Sequence, residues 1–372
     1  MPGYRLRRSR RDDEWKGFPN IMSHDLILAA RTDGHRLNYV RILAEHSLSM
    51  GNTVTVALGQ SGDSTDHHKL HLARFKDSIS ILDWSTFTPR AIASLAETTR
   101  ADRVIDPDGD QLANSILKRG QWPAIQPITL LIMRPEAQKS PFPGARKLLT
   151  LAKSVSRALL SRKRGVRVVT LVDSLERNPA ANQAPDPIDF SVSASSINDF
   201  KSDHGLDSDR FWFAIVGAID ARKNVDIVAS AIASMEGNAG LLLAGKVGAT
   251  ALAQVESAVS ALLTAGTKVV VIDRLLSDAE IDNAIAAADC VVLAHSNEGA
   301  SGIMGKAVVA GTRVVAAGAQ SLKKAAAFVP THAVWAPLES AKLAKALADA
   351  RTMPAPPPLP QTKNLFAERL MS

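Results

Sequence analysis

Residues 289–315 read DCVVLAHSNEGASGIMGKAVVAGTRVV. Cys290–Ala294 is a short, wholly apolar run. It has the length of a strand and no polar alternation, as expected of a strand covered on both faces. A loop rich in Ser, Asn and Gly follows, then a helical stretch, Ile303–Ala310. Gly311-Thr312 stops that helix, and Arg313–Ala316 reads as a second strand. Strand, loop, helix and strand in this order form the unit of a parallel α/β sheet.

The same alternation extends outward. Phe211–Val216, Gly240–Ala244 and Lys268–Ile272 read as strands, with helical patterns over Asn224–Ser234, Leu252–Thr264 and Asp278–Ala288 between them. The first half opens with a strand at Asp25–Ala30, a helix at Leu37–Met50 ended by Gly51-Asn52, and a strand at Thr53–Leu58. Further strands are expected at Ser78–Leu82, Arg103–Asp106, Ile128–Met133 and Val166–Val172. Residues 173–210 lack periodicity and are rich in Pro, Asn, Asp and Ser, which marks a boundary region. Ala355–Pro360 is a polyproline spacer, and Asn364–Leu370 a final amphipathic turn or two. The expected fold class is α/β, with two Rossmann-like domains facing across a central cleft. The expected division is 1–21 as a leader, 22–200 and 201–338 as the two domains, and 339–372 as helices returning toward the first.

Composition narrows the class. The chain has 372 residues, 46% of them hydrophobic and 22% charged, too apolar for a disordered chain. Cys290 is the only cysteine, so no disulfide scaffold is possible and a reducing compartment is expected. No stretch approaches the roughly 18 apolar residues of a membrane span. Arg5, Arg7, Arg8, Arg10 and Arg11 are not followed by an apolar run, so the N-terminus does not read as a secretory signal, and the protein is expected to be cytoplasmic. This leader could be a basic arm, an unstructured tail, or an untranslated segment before a start at Met22. The net charge of +7 is uneven: residues 1–21 carry +3, residues 22–200 carry +4, and residues 201–372 carry none.

Three loops in the second half each follow a strand and precede a helix. Gly217–Asn224 (GAIDARKN) places Arg222 and Lys223 before a helix start with Asn224 as a plausible cap. Gly245-Lys246 follows the strand LLLA. His295–Gly302 (HSNEGASG) carries Glu298 and two glycines, Gly299 and Gly302. Cations beside a helix N-terminus and glycines that admit close backbone approach suit a diphosphate, and Glu298 could accept hydrogen bonds from sugar hydroxyls.

These residues resemble a known family. The run from Ala286 to Leu293, then Asn297-Glu-Gly, Ser301-Gly-Ile and Ala307 through Val315, is similar to the longest signature of retaining GT-B glycosyltransferases of family four. Gly217 through Asn224 and Leu241–Lys246 resemble its two earlier landmarks, and Gly34-His35 its opening loop. The resemblance implies a donor-binding second domain and an acceptor-binding first domain. It implies that Lys223 and Arg222 neutralise the donor diphosphate, with Gly245, Lys246 and Asn297 alongside. It further implies that Glu298 is the catalytic contact to the donor sugar, and that the Ser301, Gly302 and Ile303 amides hold phosphate. Gly34 and His35 would lie on the acceptor side. No metal or other cofactor is implied, because cationic groups and a helix dipole would stabilise the leaving diphosphate. The implied partners are a nucleotide-diphospho-sugar and a glycan or lipid-linked acceptor in bacterial envelope or polysaccharide synthesis, and no nucleic acid. The family's second signature glutamate falls at Lys306, which could bond phosphate or face solvent. Two alternatives follow: a non-catalytic binding protein on this fold, and a nucleotide-sugar epimerase.

Residues 134–167 hold ten Lys or Arg and one acid, Glu136. Leu148, Ala152, Val155 and Leu159 recur at helical spacing. Such a helix, over 145–164, could lie on an anionic membrane surface, or pack its apolar face on the sheet with its cations in water. His67, His68 and His71 cluster without a carboxylate at ligand spacing and read as a solvated loop. Asp106-Pro-Asp-Gly-Asp110 follows a strand, and Asp108 is an acceptor-side candidate. Cys290, Trp212 and Trp335 read as core or interface residues.

Overall fold

The computed structural model describes residues 22–32, 36–59, 72–75, 77–133, 143–176, 178–299 and 301–372. The leader, the histidine cluster at 67–71, and Gly34 and His35 lie outside the described residues. The first half contains β1 (His24–Ala29), α1 (Arg36–Ser49), β2 (Thr53–Gly59), β3 (Ser80–Trp84), α2 (Pro89–Thr98), β4 (Arg103–Asp106), α3 (Asp110–Arg119), β5 (Ile128–Ile132), α4 (Pro143–Leu160) and β6 (Val166–Val172). β7 (Gln183–Pro185) and α5 (Ala194–Asp203) follow. The second half contains β8 (Phe211–Val216), α6 (Val225–Ala233), β9 (Ala239–Ala244), α7 (Leu252–Thr264), β10 (Lys268–Ile272), α8 (Asp278–Ala287) and β11 (Cys290–His295). It ends with α9 (Gly302–Ala310), β12 (Arg313–Gly318), α10 (Gln320–Phe328), β13 (Ala333–Ala336), α11 (Ser340–Thr352) and α12 (Lys363–Met371).

Two sheets result, ordered β3-β2-β1-β4-β5-β6-β7 and β10-β9-β8-β11-β12-β13. In each, the chain runs outward from the first strand, then crosses back to its other side. The reversal leaves a switch point between β1 and β4, and another between β8 and β11, where both flanking pairs are parallel. In open α/β sheets such points open a crevice at the carboxyl ends of the strands.

The apolar runs have the expected cause. Trp212, Ala214 and Val216 of β8 pack on one face of the second sheet, and Phe213 and Ile215 on the other. β11 divides likewise, with Val291 and Leu293 opposite Cys290, Val292 and Ala294. Both faces are covered, so a side-chain period of two leaves no polar position. Cys290 is buried and unpaired, and burial pushes its thiol up to about 12. Trp212 is core, whereas Trp335 is half-buried beneath the Lys323 ammonium.

The chain divides into two compact units, Met1–Thr170 with Ala367–Ser372, and Leu171–Phe366. Within the first, Arg103 donates to the Met371 carbonyl and Arg167 to that of Ser372. Residues 173–210, aperiodic in sequence, supply β7 and α5, and place Leu175, Ile188, Phe190, Phe200 and Leu206 in the second core. The α5 helix escapes a periodicity reading because Phe200 is its only buried residue. A reciprocal Ser193–Ser196 capping box starts it instead.

Candidate functional site

The loops after β8 and β11 meet at the second switch point. The first turns at Gly217, whose φ of +87° is the left-handed region glycine favours. A side chain at Gly217 would stand 3.5 Å from Lys223 Nζ and 3.8 Å from Ile303 Cδ1. Ile303, distant in sequence, therefore comes beside Gly217 and Lys223 of the first loop. A Cβ at Gly245 would overlap the Gly217 carbonyl oxygen, so the loops after β8 and β9 also need two glycines to lie together.

Lys223 ends a single 3₁₀ turn, Ala221–Lys223, and folds back so that Nζ donates to the Val216 carbonyl at 2.6 Å. It is buried, and burial, then the Arg222 cation, lowers its ammonium to about 8. Arg222 is half exposed and paired with Asp220 at 2.9 Å. Asn224 stands at the start of α6, but its side chain does not cap that helix. Its Nδ2 donates instead to the Arg222 and Ala294 carbonyls at 2.7 and 2.8 Å, which ties the 3₁₀ turn to the end of β11. Ser296 N donates to the same Arg222 carbonyl at 2.9 Å. Two cations are thus held by backbone contacts between the two loops that flank the switch point.

Glu298 lies on the exposed β11–α9 loop with Asn297. Its carboxylate accepts from Gln320 N at 2.9 Å and Ser321 N at 2.8 Å, the first amides of α10. Those bonds hold its carboxyl below the ordinary range, with help from the Ser321 hydroxyl and Lys324. Gly299 N donates to Ser321 Oγ at 3.0 Å. A helix N-terminus that fixes a carboxylate leaves it ionised and able to accept further hydrogen bonds. Ser301 caps α9, its Oγ accepting from Met304 N at 3.4 Å. The first-turn amides at Gly302 and Ile303 have no partner within a helix by geometry alone.

Two cations sit elsewhere. Lys246 is largely exposed and paired with Asp273 at 3.1 Å. Lys306, for which the sequence suggested a phosphate or solvent, is 20% exposed and held in an ion pair. Its Nζ donates to Asp282 Oδ1 at 2.5 Å and to the Asp189 carbonyl at 3.0 Å. Asp282, buried and also bonded to Ser191 N, is raised by burial against the pull of Lys306.

At the first switch point, Arg36 Nε donates to Asp108 Oδ2 at 2.5 Å, joining the start of α1 to the loop after β4. Asp106 lies beneath, its Oδ1 accepting from Asp108 N at 3.0 Å. It is buried, and burial, partly offset by that bond, raises its carboxyl to about 7. The folded state therefore holds a proton that the unfolded chain releases near 3.8. The contribution of Asp106 to stability should be full below about pH 4, fall as pH rises toward 7, and then level off. Asp106→Asn keeps the carbonyl acceptor and should raise the melting temperature at pH 8 while leaving it unchanged at pH 4. The difference amounts to a few kcal/mol, at about 1.4 kcal/mol for each tenfold change in proton affinity. Thermal melts across that range check it. No group of three or more His, Cys, Asp or Glu near enough to share a metal occurs among the described residues.

No protein-family model matches this chain, and no curated protein does. Solved structures match it over nearly its whole length. A glycosyltransferase from Rickettsia africae aligns with 94% of this chain and 92% of its own, with a TM-score of 0.64 at 11% identity. HepE of Anabaena, solved in complex with UDP and glucose, aligns over 94% and 95% with a TM-score of 0.54 at 15% identity. WaaG, a glycosyltransferase involved in lipopolysaccharide biosynthesis, aligns over 94% of both with a TM-score of 0.50 at 15% identity.

The fold is GT-B. On that fold, the second unit's switch point is where Gly217, Lys223, Arg222, Ile303 and the β11–α9 loop are brought together. Lys246 and Lys306 stand on its flanks, each in an ion pair. Sequence reasoning missed Asp220, Asp282 and the α10 amides that hold Glu298. It also missed the His295 side chain, whose buried Nε2 has no hydrogen-bond partner and whose imidazole is pushed down to about 4, by burial and then by Lys223 and Arg222. Asp220, two residues before Arg222, was visible as a charge neighbour. The Asp282–Lys306 pair, 24 residues apart, left no signal.

Proposed function

We propose that this chain is a glycosyltransferase that takes a sugar from a nucleotide-diphospho-sugar. The observation that carries the reading is the convergence of Lys223, Gly217 and Ile303 at the β8/β11 switch point of a GT-B fold. HepE, which shares the fold, was solved with UDP and glucose. In the proposed reaction, the bond from the anomeric carbon to the diphosphate breaks and a bond to an acceptor hydroxyl oxygen forms. The acceptor proton passes to the departing diphosphate oxygen, which retains the anomeric configuration. Lys223 and Arg222 stabilise the charge that develops on the leaving group. Glu298, held ionised by α10, accepts from donor-sugar hydroxyls. Acceptor hydroxyls are taken by the first unit's loops after β1 and β4, with Asp108 among them, and the acceptor is an envelope glycan or a lipid-linked sugar.

The test is a panel of nucleotide-sugars scored for thermal stabilisation and for hydrolysis. At least one should stabilise the protein and be turned over; stabilisation by none overturns the reading. Glu298→Gln should lower turnover of that donor about a hundredfold or more. Its structural cost, a weakened α10 cap, is about 1 kcal/mol. Unchanged turnover would remove Glu298 from its role. Lys306 favours a second reading, a non-catalytic nucleotide-sugar binder, because no carboxylate stands at that position for the ribose. Stabilisation without turnover would select it.

A further inference from the structure

The α4 helix is inside out. Seven of the residues from Leu148 to Leu160 are exposed: Leu148, Leu149, Leu151, Ala152, Val155, Ala158 and Leu159. All are apolar. The polar residues of this stretch, Thr150, Lys153, Ser154, Ser156 and Arg157, are half-buried instead. Lys153, Ser156 and Arg157 line a narrow cleft against Ala113, Asn114 and Leu117 of α3. An amphipathic helix on a globular surface normally turns the opposite way, apolar face inward. Leu148, Leu151, Val155 and Leu159 are 68%, 60%, 50% and 47% exposed, and they fall on one line along the helix. A contiguous apolar face of this kind marks an interaction surface.

Charge selects what covers it. Residues 134–167 carry a net +9 in sequence. Arg162 and Arg164 are exposed just beyond the end of the helix. A second copy docked by the same face would set these cations against their own like, a repulsive arrangement. A partner with apolar interior and anionic rim satisfies both features, and a bilayer with anionic headgroups is that partner. The helix spans about 27 Å. No described helix is long and apolar enough to cross a membrane, so it would lie in the interfacial plane.

We propose that α4 docks the protein on an anionic lipid surface, its leucine face among the acyl chains and its flanking cations at the headgroups. The inference rests on α4 alone and stands apart from the nucleotide-sugar reading. The full chain should float with vesicles of phosphatidylcholine containing phosphatidylglycerol. Each cation near such a surface strengthens binding about fivefold, so the exposed Arg162 and Arg164 predict about twenty-five-fold weaker binding to phosphatidylcholine alone. The triple variant Leu151→Gln, Val155→Gln, Leu159→Gln should lose flotation and keep its far-UV spectrum and melting temperature, since these side chains already face water. Equal binding to neutral and anionic vesicles, or none to either, would overturn the proposal. So would a lipid-free dimer that the triple variant dissolves, which would give the face to a second copy.

Discussion

Replacing Lys223 by methionine should make the protein more stable and almost inactive. Its ammonium is buried against the Val216 carbonyl and lowered to about 8, whereas an ordinary lysine holds its proton to 10.5. The sign follows directly. Below pH 8 both folded and unfolded chains carry the charge, and the folded one carries it at a cost. That cost fades as pH rises from 8 toward 10.5, where both states are neutral. At about 1.4 kcal/mol for each tenfold change in proton affinity, the penalty at pH 7 is on the order of 3 kcal/mol. Methionine removes it and forfeits one hydrogen bond of about 1 kcal/mol. The melting temperature should therefore rise by several degrees, at about 2–4 °C per kcal/mol for a unit of this size. Loss of a preorganised cation from the leaving diphosphate should cost about 10²–10³ in kcat. A scan and a turnover assay on the same variant check both halves. Lower stability with full activity would show that Lys223 serves the fold and not the donor.

Lys306→Met should do the reverse, strongly destabilising the second unit. It leaves Asp282 buried without its cation, and breaking such a pair typically costs about 3–5 kcal/mol. Burial already raises Asp282, so the stranded carboxyl should take up a proton, and the loss should be larger at pH 8 than at pH 5. Adding Asp282→Asn should restore most of the stability. The double variant also separates structure from binding. If Lys306 acts through Asp282 and the Asp189 carbonyl, the donor KM of the double variant returns close to the original. If Lys306 holds the donor, stability recovers and KM does not. Denaturant melts of the single and double variants, followed by donor titration, read out both quantities.

These two lysines show where the sequence was legible and where it was not. Lys223 stands out as a candidate because a strand, a glycine and a helix start bracket it within the Gly217–Asn224 loop, and local order suffices to name it. Lys306 was found as a departure from a signature, but its partner was not. Asp282 and Asp189 approach it only after α8 and the 186–191 segment pack beside α9. The cap at Asn224 failed for a related reason. An asparagine before a helix has a local use, and here the carbonyls at Ala294 and Arg222 compete for the same amide. Gly34 and His35 remain expectations from the opening loop, outside the described residues.

By itself the sequence determined the alternation of strands and helices, because a parallel sheet covered on both faces demands unbroken apolar runs, and those can be read in order. It also determined which loops follow the strands, and with them Gly217, Lys223 and Glu298 as candidates. Tertiary structure alone decided which loops share a switch point, since that depends on the crossing from β10 back to β11. It decided that Glu298 is held by the amides of α10, which a helix and a strand separate from it in sequence. It also decided the direction of α4. A helix of spacing 148, 152, 155 and 159 has one apolar face whichever way it turns. Only the packing of Lys153 and Arg157 toward α3 shows that this face looks outward.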